Sequence, residues 1–285
     1  MMAQIHQVKT APGLTFDVMI EGPEGGAPVL LLHGFAESFH HWDHQIAALA
    51  SAGYRAIAPS QRGYSAGARP DPANTDNYVF DRLVDDPMQI ASQLGVTRFH
   101  LVGHDWGGSI AWGIADKYPD RLASLTILSR PHPNAFNRAL ALPDGEQKHR
   151  SRHHREFLEP GAATVVLAKD SEWLRVRWDA AGVPKAAQEK HLAVLGNPAA
   201  MEAALAWYRA RGAIRSPLGT IRVPTLYIWG DADDTVGRPA AEWTREYVSG
   251  PYEFAVLPGG GHFTADQMPD QVSALMLKHL RRYSV

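Results

Sequence analysis

The 285-residue chain contains no cysteine. Disulfide scaffolds, thiolate metal sites and cysteine nucleophiles are excluded together, because each needs sulfur. Charge of one sign is also lacking. Twenty-eight basic against thirty acidic side chains leave a formal net charge of −2, whereas a nucleic-acid binder carries a basic surplus. No apolar run approaches the roughly 18 residues of a membrane span. Met1 to Ile20 mix Gln, His, Lys and Asp with apolar residues and hold no apolar stretch of the roughly 7–15 residues an export signal needs. A soluble, cytoplasmic protein without nucleic-acid or membrane partners is expected. Neither a G-x-G-x-x-G fingerprint nor a P-loop lysine occurs, so no nucleotide cofactor is expected. Internal repeats and low-complexity stretches are absent too.

What is present is a composition for a large buried core, 45% hydrophobic and 20% charged. Short apolar runs alternate with longer amphipathic ones, the pattern of a mostly parallel sheet flanked by helices. Strands are expected at Val29–His33, Tyr54–Pro59, Phe99–Gly103, Ser124–Leu128, Thr225–Trp229 and Phe254–Leu257. Ile5–Lys9 and Leu14–Ile20, flanking Pro12 and Gly13, read as an antiparallel hairpin at the sheet edge. Helices are expected over Phe39–Ala52 with Gly53 as its cap, Gly107–Lys117, and Pro269–Arg282. Between Arg130 and Val223 the strands stop. Helical periodicity continues there in Ser171–Ala181, Pro184–Leu195 and Pro198–Arg211. The simplest organisation is a core of residues 1–130 and 221–285 with a helical cap of residues 131–220. Ligands of such sheets bind at the carboxyl ends of the strands, where a lid would exclude water.

Three motifs carry chemistry. Gly103-His104-Asp105-Trp106-Gly107 sits between a strand and a helix, the G-x-nucleophile-x-G elbow with aspartate at its centre. Read alone, it is equally an ordinary turn with Asp105 capping a helix. His33-Gly34-Phe35 ends an earlier strand, where the backbone N–H of Phe35 can join that of Trp106 as an oxyanion hole. Gly230-Asp231-Ala232-Asp233 and Gly261-His262-Phe263 follow the last two strands. The chain order is therefore nucleophile, acid, histidine.

In that order the motifs resemble those of the α/β-hydrolase superfamily. Within it the chain is similar to the aspartate-nucleophile branch of epoxide hydrolases and haloalkane dehalogenases. The resemblance covers nearly the whole chain, from His33 through Asp105 to Phe263, and Trp42 matches a position where epoxide hydrolases commonly carry tryptophan. It implies Asp105 as the nucleophile, His262 as the general base and Asp233 as its orienting acid. Asp231 and Asp234 are left as turn caps. A carboxylate is already ionised near neutral pH and can attack a saturated carbon unaided. The resulting ester then needs water activated by the histidine.

The leaving group separates the two activities. Epoxide hydrolases usually supply two cap tyrosines. Here Trp207-Tyr208-Arg209 resembles the segment with one of them, which makes Tyr208 a donor to the epoxide oxygen. The other falls on His153 when Phe157-Leu158-Glu159-Pro160-Gly161 is the anchor, and on His154 if the anchor slips by one. The resemblance also puts His33 and Trp207 against the substrate. A solvated basic run is the competing reading of Lys148–Arg155, as simple packing is of Trp207 and Tyr208. The expected activity is hydrolysis of a small, apolar epoxide-type substrate to a vicinal diol, without metal or cofactor. The alternative is a haloalkane dehalogenase using the same Asp105, with Trp106 and one of Trp173, Trp178 or Trp207 around the halide. A silent ligand-binding member is third. Haloacid dehalogenases place arginines where this chain has Trp106 and Ser109. One departure stands out: the family's His-Gly-x-Pro is His33-Gly34-Phe35-Ala36 here. His40, His41, Asp43 and His44 are read as a polar helix face rather than a metal site. The oligomeric state is open, a homodimer included.

Overall fold

The computed structural model describes residues 4–143, 145–210 and 217–285. Eight strands form one sheet: β1 (Gln4–Ala11), β2 (Leu14–Glu21), β3 (Pro28–Leu32), β4 (Arg55–Pro59), β5 (Phe99–His104), β6 (Leu122–Leu128), β7 (Thr225–Gly230) and β8 (Tyr252–Leu257). Their spatial order is β1-β2-β4-β3-β5-β6-β7-β8. The β1–β2 hairpin is at the edge and β2 pairs antiparallel with β4; every later pairing is parallel. All eight expected strands are present within a few residues of their expected ends.

Both faces of the sheet are covered, which is why the central strands are apolar without alternation. In β3, Val29 and Leu31 pack with Trp42, Leu49, Val272 and Met276 in one cluster. Leu30 and Leu32 pack in another with Ile110, Trp112 and Leu83. Helices α1 (Asp43–Ser51) and α12 (Pro269–Leu280) therefore lie on one face, and α2 (Phe80–Gln93) and α3 (Asp105–Lys117) on the other. The helix expected over Phe39–Ala52 is split, with a 3₁₀ turn at Phe39–Trp42 before α1. Its stop at Gly53, at φ 86°, is as expected. Sequence reading missed α2. Pro87 lies inside it, a residue that ordinarily ends or kinks a helix.

Between β6 and β7 the chain runs through α4 (Pro133–Leu140), α5 (Glu146–Arg150), α6 (His153–Glu156), α7 (Ala162–Ala180), α8 (Lys185–Leu195) and α9 (Pro198–Arg209). The first three and the start of α7 had no expectation attached. The expected end at Arg211 lies outside the described residues. Helix α7 breaks at Ala168–Ser171, with Lys169, Asp170 and Ser171 in the left-handed region. Helix α8 touches the 39–42 turn after β3, and α9 touches Thr75–Tyr78. No helix among the described residues is long and apolar enough to cross a membrane.

Candidate active site

The parallel register brings the ends of five strands together. Leu32 pairs with Gly103, His104 with Leu128, Leu128 with Ile228, and Gly230 with Leu257. Residues just beyond these pairs share the carboxyl edge: Gly34–Glu37, Asp105, Ser129, Asp233 and His262. Helix α3 begins at Asp105 itself, two residues earlier than expected.

The elbow is strained and tightly packed. Asp105 sits at φ 47°, a left-handed conformation that costs a non-glycine residue about 1–2 kcal/mol. A β-carbon on Gly107 would lie 2.1 Å from the Leu32 carbonyl oxygen, and one on Gly34 would lie 2.6 Å from the Asp105 β-carbon. Only glycine lets β3 and its loop approach this closely. Asp105 is thereby aimed back over the edge. The N–H of Phe35 donates to its Oδ1 at 3.0 Å, and His262 Nε2 is 3.8 Å from its Oδ2. One carboxylate oxygen is held; the other has no hydrogen bond to the histidine.

Burial alone would push the Asp105 carboxyl up. The positive charge around it, from His262 and Arg130 among others, and the Phe35 N–H instead hold it below the ordinary carboxylate range. His262 Nδ1 lies 3.2 Å and 3.3 Å from the two oxygens of Asp233. Burial opposes protonation of His262. Asp233 and then Asp105 overcome that and raise its pKa to about 9. Asp233, held below its usual range mainly by His262, also accepts from the N–H groups of Thr235 and Val236. Asp231 takes the Gly259 N–H from the loop after β8, so it ties two loops together rather than capping its own turn, and Asp234 takes the hydroxyl of its neighbour Thr235.

Two nearby residues escaped the sequence reading. Ser129, at φ 61° just past β6, donates its hydroxyl proton to Asp233 Oδ2 at 2.6 Å and stands 2.9 Å from His262 Nδ1. Its neighbour Arg130 packs its guanidinium 4.0 Å from the Phe136 ring, with a buried Nε that has no acceptor. Burial lowers the Arg130 pKa and the Asp105 charge opposes that loss. Neither belongs to a motif; both are recognisable only because β6 ends beside β5.

Below the nucleophile is a buried charge network. His41 Nδ1 lies 2.6 Å from Glu37 and 2.8 Å from Asp266, and these carboxylates lift its pKa to about 10 against the effect of burial. His104 Nδ1 meets the other Glu37 oxygen at 2.8 Å, and its Nε2 meets the His262 carbonyl at 2.9 Å. Glu37, His41 and His104 have the side-chain types of a metal site and lie close together. Their contacts are those of a protonated histidine neutralised by carboxylates. The expectation of a polar helix face needs correcting at His41, which is fully buried although His40 and His44 are not.

The aromatic wall comes largely from the segment between β6 and β7. Tyr208 of α9 is buried and meets Phe35, Trp106 and Phe157 edge-on at 5.3, 5.1 and 4.9 Å. His153 and His154, at the start of α6, have ring centres 6.4 Å and 5.4 Å from Tyr208. Both are near it, His153 the more buried. Burial and then Arg177 depress the His153 pKa to about 4, so its ring is neutral at pH 7. Trp106 is edge-on to Trp207 at 5.6 Å. His33 and Trp207, expected against the substrate, have their polar atoms engaged by backbone. The His33 ring is engaged by the Gly34 carbonyl and the Gln61 N–H, and the Trp207 indole N–H donates to the Arg62 carbonyl at 3.0 Å. Both side chains brace the loops around the site, with their polar atoms turned to backbone.

Ala36 explains the missing proline. Its φ is 67°, whereas proline is locked near −65°. This loop therefore takes a path that proline cannot follow, yet the Phe35 N–H still reaches Asp105.

Comparison with known proteins agrees with this fold. Residues 27–267 match the α/β-hydrolase fold family, and the chain belongs to that family. Within it, the chain is an epoxide-hydrolase-like hydrolase. It is 32% identical to epoxide hydrolase A of Mycobacterium tuberculosis, over 92% of this chain and 93% of that one. It is 30% identical to epoxide hydrolase 4 of Mus musculus, over 94% and 77%. Among solved structures, one from a study of novel epoxide hydrolases in metagenomes from hot environments superposes with a TM-score of 0.87 at 30% identity, covering 98% of this chain and 99% of that one. Epoxide hydrolase A from Mycobacterium thermoresistibile gives 0.84 at 28% identity, covering 99% of both.

Proposed function

We propose that the protein hydrolyses epoxides to vicinal diols through an ester of Asp105, and that residues 131–220 are its cap. The observation that carries this reading is the division of labour at one carboxylate: Oδ1 bound by the Phe35 N–H, Oδ2 without a hydrogen bond to His262. Oδ2 attacks an epoxide carbon, the carbon–oxygen bond breaks, and the ring oxygen takes a proton from Tyr208 with His153 or His154 as second donor. Water then attacks the ester carbonyl carbon. One of its protons goes to His262 Nε2, and the negative charge collects on Oδ1 at the Phe35 N–H, with that of Trp106 as the second donor. The bond from the carbonyl carbon to Oδ2 then breaks. Oδ2 leaves in the diol with the proton from His262, and the second water proton returns to the Tyr208 phenolate. Asp233 and Ser129 hold the imidazole by its Nδ1 edge. The epoxide reading is favoured over halide release because Tyr208 and the two histidines beside it are donors that an epoxide oxygen needs and a halide does not. Of the indoles offered for a halide, that of Trp207 is already bound to the Arg62 carbonyl.

A single turnover with enzyme in excess in ¹⁸O-water tests it. The diol should carry no label and the Asp105 peptide should gain one ¹⁸O, because the water oxygen enters the ester carbonyl. Label in the diol would mean direct attack of water on the epoxide and would end the proposal.

The reaction also has a sign for pH. Part of the raised His262 pKa comes from the negative Asp105. Ester formation neutralises Asp105, so His262 becomes a weaker base just when it must be unprotonated. In Asp105→Asn, a neutral stand-in for the ester, His262 should titrate below the value of about 9 of the resting enzyme. Its imidazole proton signal, assigned by its loss in His262→Gln, reads this directly. An unchanged pKa would separate the two groups electrostatically.

A further inference from the structure

Apart from His153 and His154, the basic run Lys148–Arg155 has no part in this chemistry, yet the fold gives it a shape. A cavity of about 280 Å³ is lined by His149, Arg150, Arg152 and His153 on one side and by Arg177 of α7 on another. Glu146 and Asp234 complete it, so every lining side chain is ionisable. A second cavity, of about 180 Å³, reaches His262 and Phe263 and shares Arg177 and Asp234 with the first. The charged cavity thus adjoins the catalytic histidine on one side and includes His153 on the other.

Its cations are not all spoken for. Arg150 is paired with Glu146 and donates to the Asp233 carbonyl. Arg152 donates only to His149, at 3.0 Å. The Arg177 guanidinium packs 4.0 Å from the Trp173 ring, and no carboxylate among the described residues comes within ion-pair distance of it. Asp234 and then Glu156 are the countercharges that act on it most. Stacking fixes the plane of a guanidinium while leaving its N–H edge free for a planar anion. Leaving histidines aside, three arginines against two acids make the cavity +1, which suits a monoanion better than a dianion.

We infer that the preferred substrates are epoxides bearing a carboxylate, bound by Arg177 in this cavity while the epoxide reaches Asp105. This rests on the epoxide reading above and narrows it from the small apolar substrate expected at first.

The test is a series of terminal epoxides with a carboxylate at increasing spacer length, each paired with its neutral primary amide. At the best-fitting spacer the carboxylate should exceed its amide in kcat/KM by about tenfold or more, the scale of a charge-assisted hydrogen bond. Arg177→Gln should abolish that preference, mainly by raising KM for the carboxylate, and Arg177→Lys should restore part of it. Carboxylate and amide within twofold at every spacer, or a preference that survives Arg177→Gln, would overturn the inference and leave epoxide hydrolysis standing. If neither is turned over, the epoxide reading fails. Calorimetric binding of the corresponding diol acids and diol amides to wild type and Arg177→Gln then decides the anion site by itself. An acid preference lost in the variant supports it, and no preference overturns it.

Discussion

Replacing Asp105 by alanine should lower kcat/KM for any epoxide substrate by about four to six orders of magnitude, the range seen when a covalent nucleophile is removed. No other described group can form the same ester. In the proposed mechanism His262 acts on water rather than carbon, and Asp233 lies at its other, Nδ1 edge. The substitution keeps the β-carbon packed against Gly34, so the fold should survive with little change in melting temperature. Alanine tolerates φ 47° slightly less well than aspartate does. Residual kcat/KM within tenfold of wild type, in a variant that His262→Gln still inactivates, would mean that water activated by His262 attacks the epoxide directly.

His262→Gln has a different signature. The first half-reaction needs no base, because the carboxylate is held ionised by its surroundings. The second does. Turnover should fall by about 10³- to 10⁴-fold, while the enzyme gains the mass of one whole epoxide on the Asp105 peptide. Intact-mass spectrometry after exposure to epoxide and haloalkane panels reads this. Adducts from haloalkanes alone, of alkyl mass without halogen, would shift the reading to a dehalogenase. Retained turnover with no adduct would remove His262 from the second step.

The motif residues of this site were readable because their chemistry leaves local marks. Gly103, Gly107 and Gly34 are required where backbones touch, and Asp105 and His262 stand at fixed places beside them. Asp233 was separable from Asp231 and Asp234 only by resemblance. The structure supplies the physical reason: Asp231 is engaged by the Gly259 N–H, Asp234 by the hydroxyl of Thr235, and Asp233 faces the imidazole. Ser129 and Arg130 had no such mark. A serine and an arginine after an apolar run look like any strand end, and their contacts lie 104 and 133 residues away along the chain for Ser129.

The sequence by itself determined the alternation of strands and helices, the place of the helical segment after β6, and the order of the three motifs holding Asp105, Asp233 and His262. These follow from apolar periodicity and turn chemistry, which act over a few residues. Only the tertiary structure decided that His33 and Trp207 turn their polar atoms to backbone, that His41 is a buried cation between two carboxylates, and that a seemingly solvated basic run encloses a cavity with Arg177. Each depends on which distant segment arrives beside it. Burial and countercharge, which set whether a polar side chain braces, titrates or binds, are properties of that neighbourhood.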